Sequence, residues 1–306
     1  MSLAMTDQAA NRIDAATRAP EAPSSFSAPK LSQAQHEAFR RDGFLLVEDL
    51  STADEIASLR TLYDRLFSER RGWDKGDLFD MIGRDDSAGG RGLTIPQLLW
   101  PSRYEPALMQ TQLAASARSI AEQLLGPNIE NILEHAIVKP PKGAATPWHQ
   151  DDSFSHKGSR ILESISIWMP LQDVTVESGC MRYISGSNLG PLYPHRSPNN
   201  DPRIHGLELV SPPDLTHCVA VPMRAGSAVV HHSRTIHGAG INGGDQPRRA
   251  YVLGYGVKTG KRRLLKRDYS WNLEKQTARE EREMQSLSAL KRTVRRLKRF
   301  MHGQKF

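Results

Sequence analysis

Cysteine is almost missing from this chain. Cys180 and Cys218 are the only two in 306 residues, and they show no paired spacing, so neither a disulfide framework nor a thiolate zinc site has support. Long apolar runs are missing as well. No stretch reaches the ~18 consecutive apolar residues that span a bilayer, and the N-terminus lacks the apolar core of a signal peptide. Together these absences predict a soluble protein in a reducing, cytoplasmic setting. No Walker pattern occurs, and no G-x-G-x-x-G stands in the strand-to-helix setting that would argue for a nucleotide site. A basic body is also lacking. The formal charge of +7 comes from residues 257–306, where 16 Lys+Arg face 5 Asp+Glu; residues 1–256 hold 25 against 29. A mildly acidic body excludes nucleic acid as the partner of the fold, because a basic footprint belongs on the recognition surface itself.

Hydrophobic periodicity and turn residues organise what is present. Residues 1–30, rich in Ala, Pro and Ser, have no apolar periodicity and predict a disordered tail. Gln35, Phe39 and Gly43 mark an amphipathic helix ending at a glycine, and 44–47 a short buried strand. Ser51 is the expected N-cap of a second helix through Leu66, with Asp54 and Glu55 in its first turn. Residues 72–104 read as a long irregular segment and a candidate substrate lid. Residues 112–125 predict a helix closed by Gly126-Pro127. After it come β-type runs at 129–139, 161–171, 181–184, 218–222, 228–232 and 250–256. Helices followed by short strands predict a mainly β fold with flanking helices, a sandwich or jelly roll.

The chemistry concentrates in Trp148-His149-Gln150-Asp151, answered by His237 and, eleven residues later, by Arg248. Two imidazoles and one carboxylate, with other positions open, form the facial ligand set of non-heme Fe(II) oxygenases. In extended chain His149 and Asp151 share a face while Gln150 points away. A third ligand must then come from a distant strand. His237 follows the apolar strand Ala228–Val230 and precedes Gly238-Ala239-Gly240; His231, His232 and His156 are its rivals. Arg248 offers a planar guanidinium fork for the far carboxylate of a dicarboxylate co-substrate, and in a strand Arg249 must face the other way.

These residues, with Trp168-Met169-Pro170-Leu171-Gln172-Asp173, Gly179-Cys180-Met181, Gly186-Ser187, Gly226-Ser227-Ala228 and 237–248, resemble the phytanoyl-CoA dioxygenase family. The resemblance covers about 31–256. It implies a cupin-like double-stranded β-helix that uses Fe(II), 2-oxoglutarate and O2. It also implies His149, Asp151 and His237 as iron ligands, Arg248 as partner of the co-substrate's distal carboxylate, and Trp168 beside the co-substrate. Ser185-Gly186-Ser187-Asn188 and Ala239 depart from the common family pattern, and nothing marks a CoA ester site. The expected organisation is a disordered tail (1–30), an oxygenase domain (31–256) and a basic amphipathic helical tail (257–306). That domain would hydroxylate a small-molecule or carrier-bound substrate. In the tail, Leu287, Leu290, Val294, Leu297 and Met301 recur at helical steps among Lys and Arg, a pattern suited to an acidic partner or an anionic membrane surface. A cupin-like metal isomerase and a non-catalytic binding protein are the alternative readings.

Overall fold

The computed structural model describes residues 29–84, 92–154, 156–157, 161–258, 267–289 and 293. Helix α1 (Gln33–Asp42) starts with a capping box: the Ser32 hydroxyl accepts from the Gln35 backbone N–H, and the Gln35 side chain accepts from the Ser32 N–H. It stops at Gly43, whose φ is +79°. A Cβ there would stand 2.5 Å from Asn188 Oδ1, so both conformation and space demand glycine. Strand β1 (Phe44–Val47) follows. Helix α2 (Ala53–Ser68) is capped by Thr52 rather than by the expected Ser51. Both hydroxyls are competent, but the extended backbone falls at Thr52, and Ser51 Oγ instead donates to the Glu55 carboxylate. Glu55 also accepts from the backbone N–H groups of Gln112 and Leu113, at 2.6 and 2.9 Å, at the start of α3 (Gln112–Leu125).

The remaining strands are β2 (Leu78–Asp80), β3 (Pro96–Leu99), β4 (Ile129–Lys139), β5 (Thr146–His149), β6 (His156–Lys157), β7 (Ile161–Pro170), β8 (Met181–Ile184), β9 (His195–Arg196), β10 (Glu208–Leu209), β11 (Cys218–Val221), β12 (Ala228–His232), β13 (His237–Ala239), β14 (Arg248–Lys258) and β15 (Arg267–Asp268). A seven-stranded antiparallel sheet runs β1-β12-β7-β14-β4-β3-β2, and a four-stranded sheet runs β11-β8-β13-β5. The period of two along β7 separates the layers. Ile165, Ile167 and Met169 turn outward, where they join Leu59, Leu62, Ile120 and Tyr251 in the core beneath the helices. Trp168 turns inward and packs with Val229, Val252, Met181, Tyr183 and Val221, from both sheets. Each such aliphatic side chain contributes about 1.5–3 kcal/mol on burial, which fixes the register because a one-residue slip would invert both faces. This is the expected mainly β jelly roll with flanking helices.

Three expectations need correction or placement. The irregular segment at 72–104 contains β2 and β3, which pair with each other and, through β3, with β4 at the sheet edge. Strands of three and four residues pairing across a long loop leave little periodic signal. The segment after β14 does not stand apart as a tail: α4 (Ser270–Leu273) and α5 (Ala278–Ser286) fold back on the domain. Arg282 stacks 3.7 Å over the Trp73 ring and donates to the carbonyls of Trp73 and Leu78. Leu287, the first residue of the predicted stripe, is the C-cap of α5 in extended conformation, whereas Ala289 and Thr293 beyond it are helical. Leu290, Val294, Leu297 and Met301, like residues 1–28, lie outside the described residues. Among the described residues no helix is long and apolar enough to cross a membrane.

Candidate metal centre

Strand pairing brings the two distant histidines together. His149 ends β5 directly opposite His237 at the start of β13. Their rings lie 4.3 Å apart between centroids. Asp151 does not continue the strand. It opens a short 3₁₀ turn, Asp151–Phe154, and that turn rather than extended alternation aims its carboxylate at the imidazoles. Asp151 Oδ1 lies 3.7 Å from His149 Nε2 and 3.5 Å from His237 Nε2, beyond a good hydrogen bond but within reach of one shared ion. Among the described residues these three form the group of His, Cys, Asp or Glu whose ligand atoms lie within 4.8 Å of one another. Gln150 points away as expected: its side chain bonds Pro191 O, Arg234 O and Tyr193 N, tying three loops beneath the turn.

The surrounding hydrogen bonds fix which atoms are free. His149 Nδ1 donates to Pro147 O at 2.8 Å and His237 Nδ1 to Thr235 O at 2.9 Å, which leaves both Nε2 lone pairs pointing at Asp151. Burial pushes His149 below the ordinary histidine range and His237 well below it, so both imidazoles are neutral. Burial alone would raise the Asp151 carboxyl, but His237, His231 and His149 together hold it well below the usual carboxylate range. Its Oδ2 accepts from Ser166 Oγ at 2.6 Å and from His231 Nε2 at 3.2 Å. His231 in turn takes the Tyr183 hydroxyl at Nδ1, 3.2 Å away. The rival His231 therefore orients the carboxylate. The rival His232 faces Glu163, 3.9 Å away, and the side chain of His156 lies outside the described residues. Ser166 and Tyr183 gave no sequence signal, because each is one residue in an apolar strand whose partner lies far along the chain.

Arg248 and Arg249 part as the strand period requires. Arg249 forms a two-pronged ion pair with Asp64 on the helical side, at 2.7 and 2.8 Å. Arg248 turns inward, 3 % exposed, with its guanidinium 5.1 Å over the Trp168 ring and Nη1 donating to Gly179 O at 2.6 Å. Its Nε is buried without a partner. Burial pulls Arg248 down to about 10, which keeps it charged at neutral pH. A charged buried donor left unsatisfied is costly unless an anion meets it. The site therefore fits both groups implied by the resemblance: three unprotonated N and O donors for a divalent metal, and a buried cation for a carboxylate.

Metal donors and Arg248 line one cavity of about 650 Å³. Leu99, Trp100, Phe154 and Ile137 give it apolar walls, and His135, His205 and Tyr269 add polar edges. The folded-back C-terminal segment reaches this cavity through Tyr269. It is fastened to the metal turn where Trp271 Nε1 and Asn272 Nδ2 both donate to Ser153 O, at 3.0 and 2.9 Å.

Known proteins place this geometry. A family model described as phytanoyl-CoA dioxygenase matches residues 39–250, which include every residue named above as metal donor or cation. The chain is 27 % identical over 158 residues to a probable alpha-ketoglutarate-dependent hypophosphite dioxygenase of Stutzerimonas stutzeri, covering 51 % of this chain and 54 % of that enzyme. It is 23 % identical over 235 residues to the peroxisomal phytanoyl-CoA dioxygenase of Rattus norvegicus, covering 74 % and 68 %. In three dimensions it superposes on EvdO2 from Micromonospora carbonacea var. aurantiaca, crystallised with 2-oxoglutarate, with a TM-score of 0.64, 37 % identity and coverage of 78 % and 97 %. With the His-Asp-His cluster, the inward arginine and the antiparallel double sheet on one scaffold, the chain belongs to the phytanoyl-CoA dioxygenase family, whose members are Fe(II)- and 2-oxoglutarate-dependent oxygenases.

Proposed function

We propose that this protein oxidises an unactivated C–H bond of a small molecule, with His149, Asp151 and His237 holding Fe(II) and Arg248 seating the distal carboxylate of 2-oxoglutarate. One observation carries the reading: a neutral-imidazole and carboxylate cluster shares a cavity with a buried arginine whose Nε has no partner. Iron bound there supplies the redox and O2 chemistry that side chains lack. The chain itself does three things. Pro147 and Thr235 carbonyls hold the imidazole tautomers, and Ser166 with His231 holds the Asp151 carboxylate, so the ligand set needs little reorganisation. Arg248 and the Trp168 ring beneath it orient the co-substrate, with Trp168 as its packing surface. Leu99, Trp100, Ile137 and Phe154 keep water from the reacting carbon.

The substrate is proposed to be a free, largely apolar small molecule with some polar groups, in keeping with a cavity of about 650 Å³ whose edges carry Glu163, His205 and Tyr269. The likeness to EvdO2, crystallised with 2-oxoglutarate, supports the co-substrate. Anaerobic addition of 2-oxoglutarate to the Fe(II)-loaded protein is expected to give the weak visible metal-to-ligand charge-transfer band of bidentate chelation, lost in His149→Ala. Metal binding without a band would replace this reading with a metal-dependent isomerase on the same fold.

A further inference from the structure

Beside Arg248 lies a second buried basic side chain that the chemistry proposed above leaves unused. Lys139, the last residue of β4, stands directly opposite Arg248 in the β4–β14 ladder, so both side chains leave the same face of the sheet. Lys139 is fully buried and Nζ donates to Gly240 O at 2.6 Å. Arg248 donates to Gly179 O, and these two acceptor loops touch: a Cβ on Gly179 would lie 2.6 Å from Gly240 O. The two basic side chains thus grip adjoining carbonyls at one end of the barrel. Neither has a carboxylate partner among the described residues.

We propose that Lys139 is a second positioning residue of the co-substrate subsite and takes up a proton when the distal carboxylate of 2-oxoglutarate docks on Arg248. This rests on the assignment of Arg248 given above. Two like charges in a water-poor site repel, and burial disfavours each charged form that has no counter-ion. The groups around Lys139 offer no relief. Arg248 faces it from β14, and Arg182 of β8 lies against Gly240, its Nη2 3.4 Å from where a Gly240 Cβ would stand. The Cys180 thiol beside Arg248 and Arg182 is itself pushed up by burial. On β4 and β3 the neighbouring polar side chains are His135, pulled down to about 3 by burial, and Gln97 bonded to it. Burial, then repulsion from Arg248, brings Lys139 down to about 6, leaving it mostly neutral at pH 7. A carboxylate on Arg248 cancels that repulsion and adds an attraction, so the amine charges as the dianion enters.

The test is calorimetry of 2-oxoglutarate binding to the anaerobic Fe(II)-loaded protein in buffers of different ionisation enthalpy, with the charge-transfer band as an independent affinity readout. Wild type is expected to take up most of one proton per co-substrate at pH 7 and to bind about tenfold more weakly in Lys139→Met. The variant should show no proton uptake and unchanged iron affinity. The analogue 2-oxopentanoate, which keeps the chelating end and lacks the distal carboxylate, is expected to bind wild type and Lys139→Met equally. An equal loss for both ligands would mean that Lys139 only supports the fold, and proton uptake persisting in the variant would assign it to another group; either result overturns the proposal. Absence of any band in wild type would remove the co-substrate reading itself, a different failure.

Discussion

Asp151 shows how much of a ligand's behaviour is set by residues that never touch the metal. Its Oδ2 is held by Ser166 and His231, so only Oδ1 faces the imidazoles. Ser166→Ala is expected to weaken iron affinity roughly tenfold, the lower end for loss of a group that orients a ligand, without altering the fold. Metal titration checks this, and wild-type affinity would exclude the orienting role. Arg248→Ala is expected to raise the 2-oxoglutarate dissociation constant about 30- to 100-fold, the worth of a charge-assisted fork, while leaving iron affinity unchanged. An unaltered co-substrate affinity would move the anchor to another cation. The residues that carry chemistry directly were legible, because His149, Asp151, His237 and Arg248 have rare side chains at spacings that short loops and strand parity convert into one site. Their supports were not. Serine and tyrosine within apolar strands look like core composition until pairing shows what lies across, and Lys139 differs from its strand only as a charge at an inward position.

At the level of elements, the long strands and helices followed from periodicity and caps: α3, β4, β8 and β12 have the predicted bounds. The short strands β5 and β13, four and three residues long, exist only because each finds a partner, and that non-local pairing is what places His149 opposite His237. The described part of the C-terminal stretch is likewise held by contacts far along the chain. Its arginines mark solvent or a partner by composition, yet Arg282 spends its donors on this domain's own carbonyls and an indole. Trp271→Ala removes the bond to Ser153 and the stack on Tyr269, whose rings lie 4.7 Å apart. It is expected to cost about 2–4 kcal/mol of stability, the usual loss for truncating a packed tryptophan that is only partly buried. Cleavage between residues 258 and 289 should also become faster under limited proteolysis. Unchanged cleavage would mean that the remaining contacts, among them those of Asn272, Lys275 and Arg282, suffice to hold the segment.

For the whole molecule, lysines held neutral by burial make stability depend on pH in an unusual window. Lys139 is brought down to about 6 and Lys275, buried against the carbonyls of Ile204 and Gly206, to about 7, both from 10.5. Between those values and 10.5 the unfolded chain binds more protons than the native one, so stability rises with pH. The histidines with lowered values, His135, His149 and His237, add the same sign only below about 7, the unfolded histidine range. Metal-free protein is therefore expected to gain on the order of 1 kcal/mol per pH unit from pH 7 to 9, read by thermal melting, with a flatter profile in Lys139→Met. A flat profile would show that these lysines stay charged in the native state.

The place where the family's common stretch stops has an evolutionary reading. Residues 39–250 contain the metal donors and Arg248, whereas Tyr269, which walls the cavity, and Trp271, which clamps the metal turn, come later in the chain. The metal donors and most of the cavity wall thus lie inside the shared stretch, while one part of the wall and the clamp on the metal turn lie beyond it. Recombination or drift confined to the later stretch can re-tailor the cavity while the oxidising apparatus is inherited intact, one physical route by which a single scaffold diversifies among substrates.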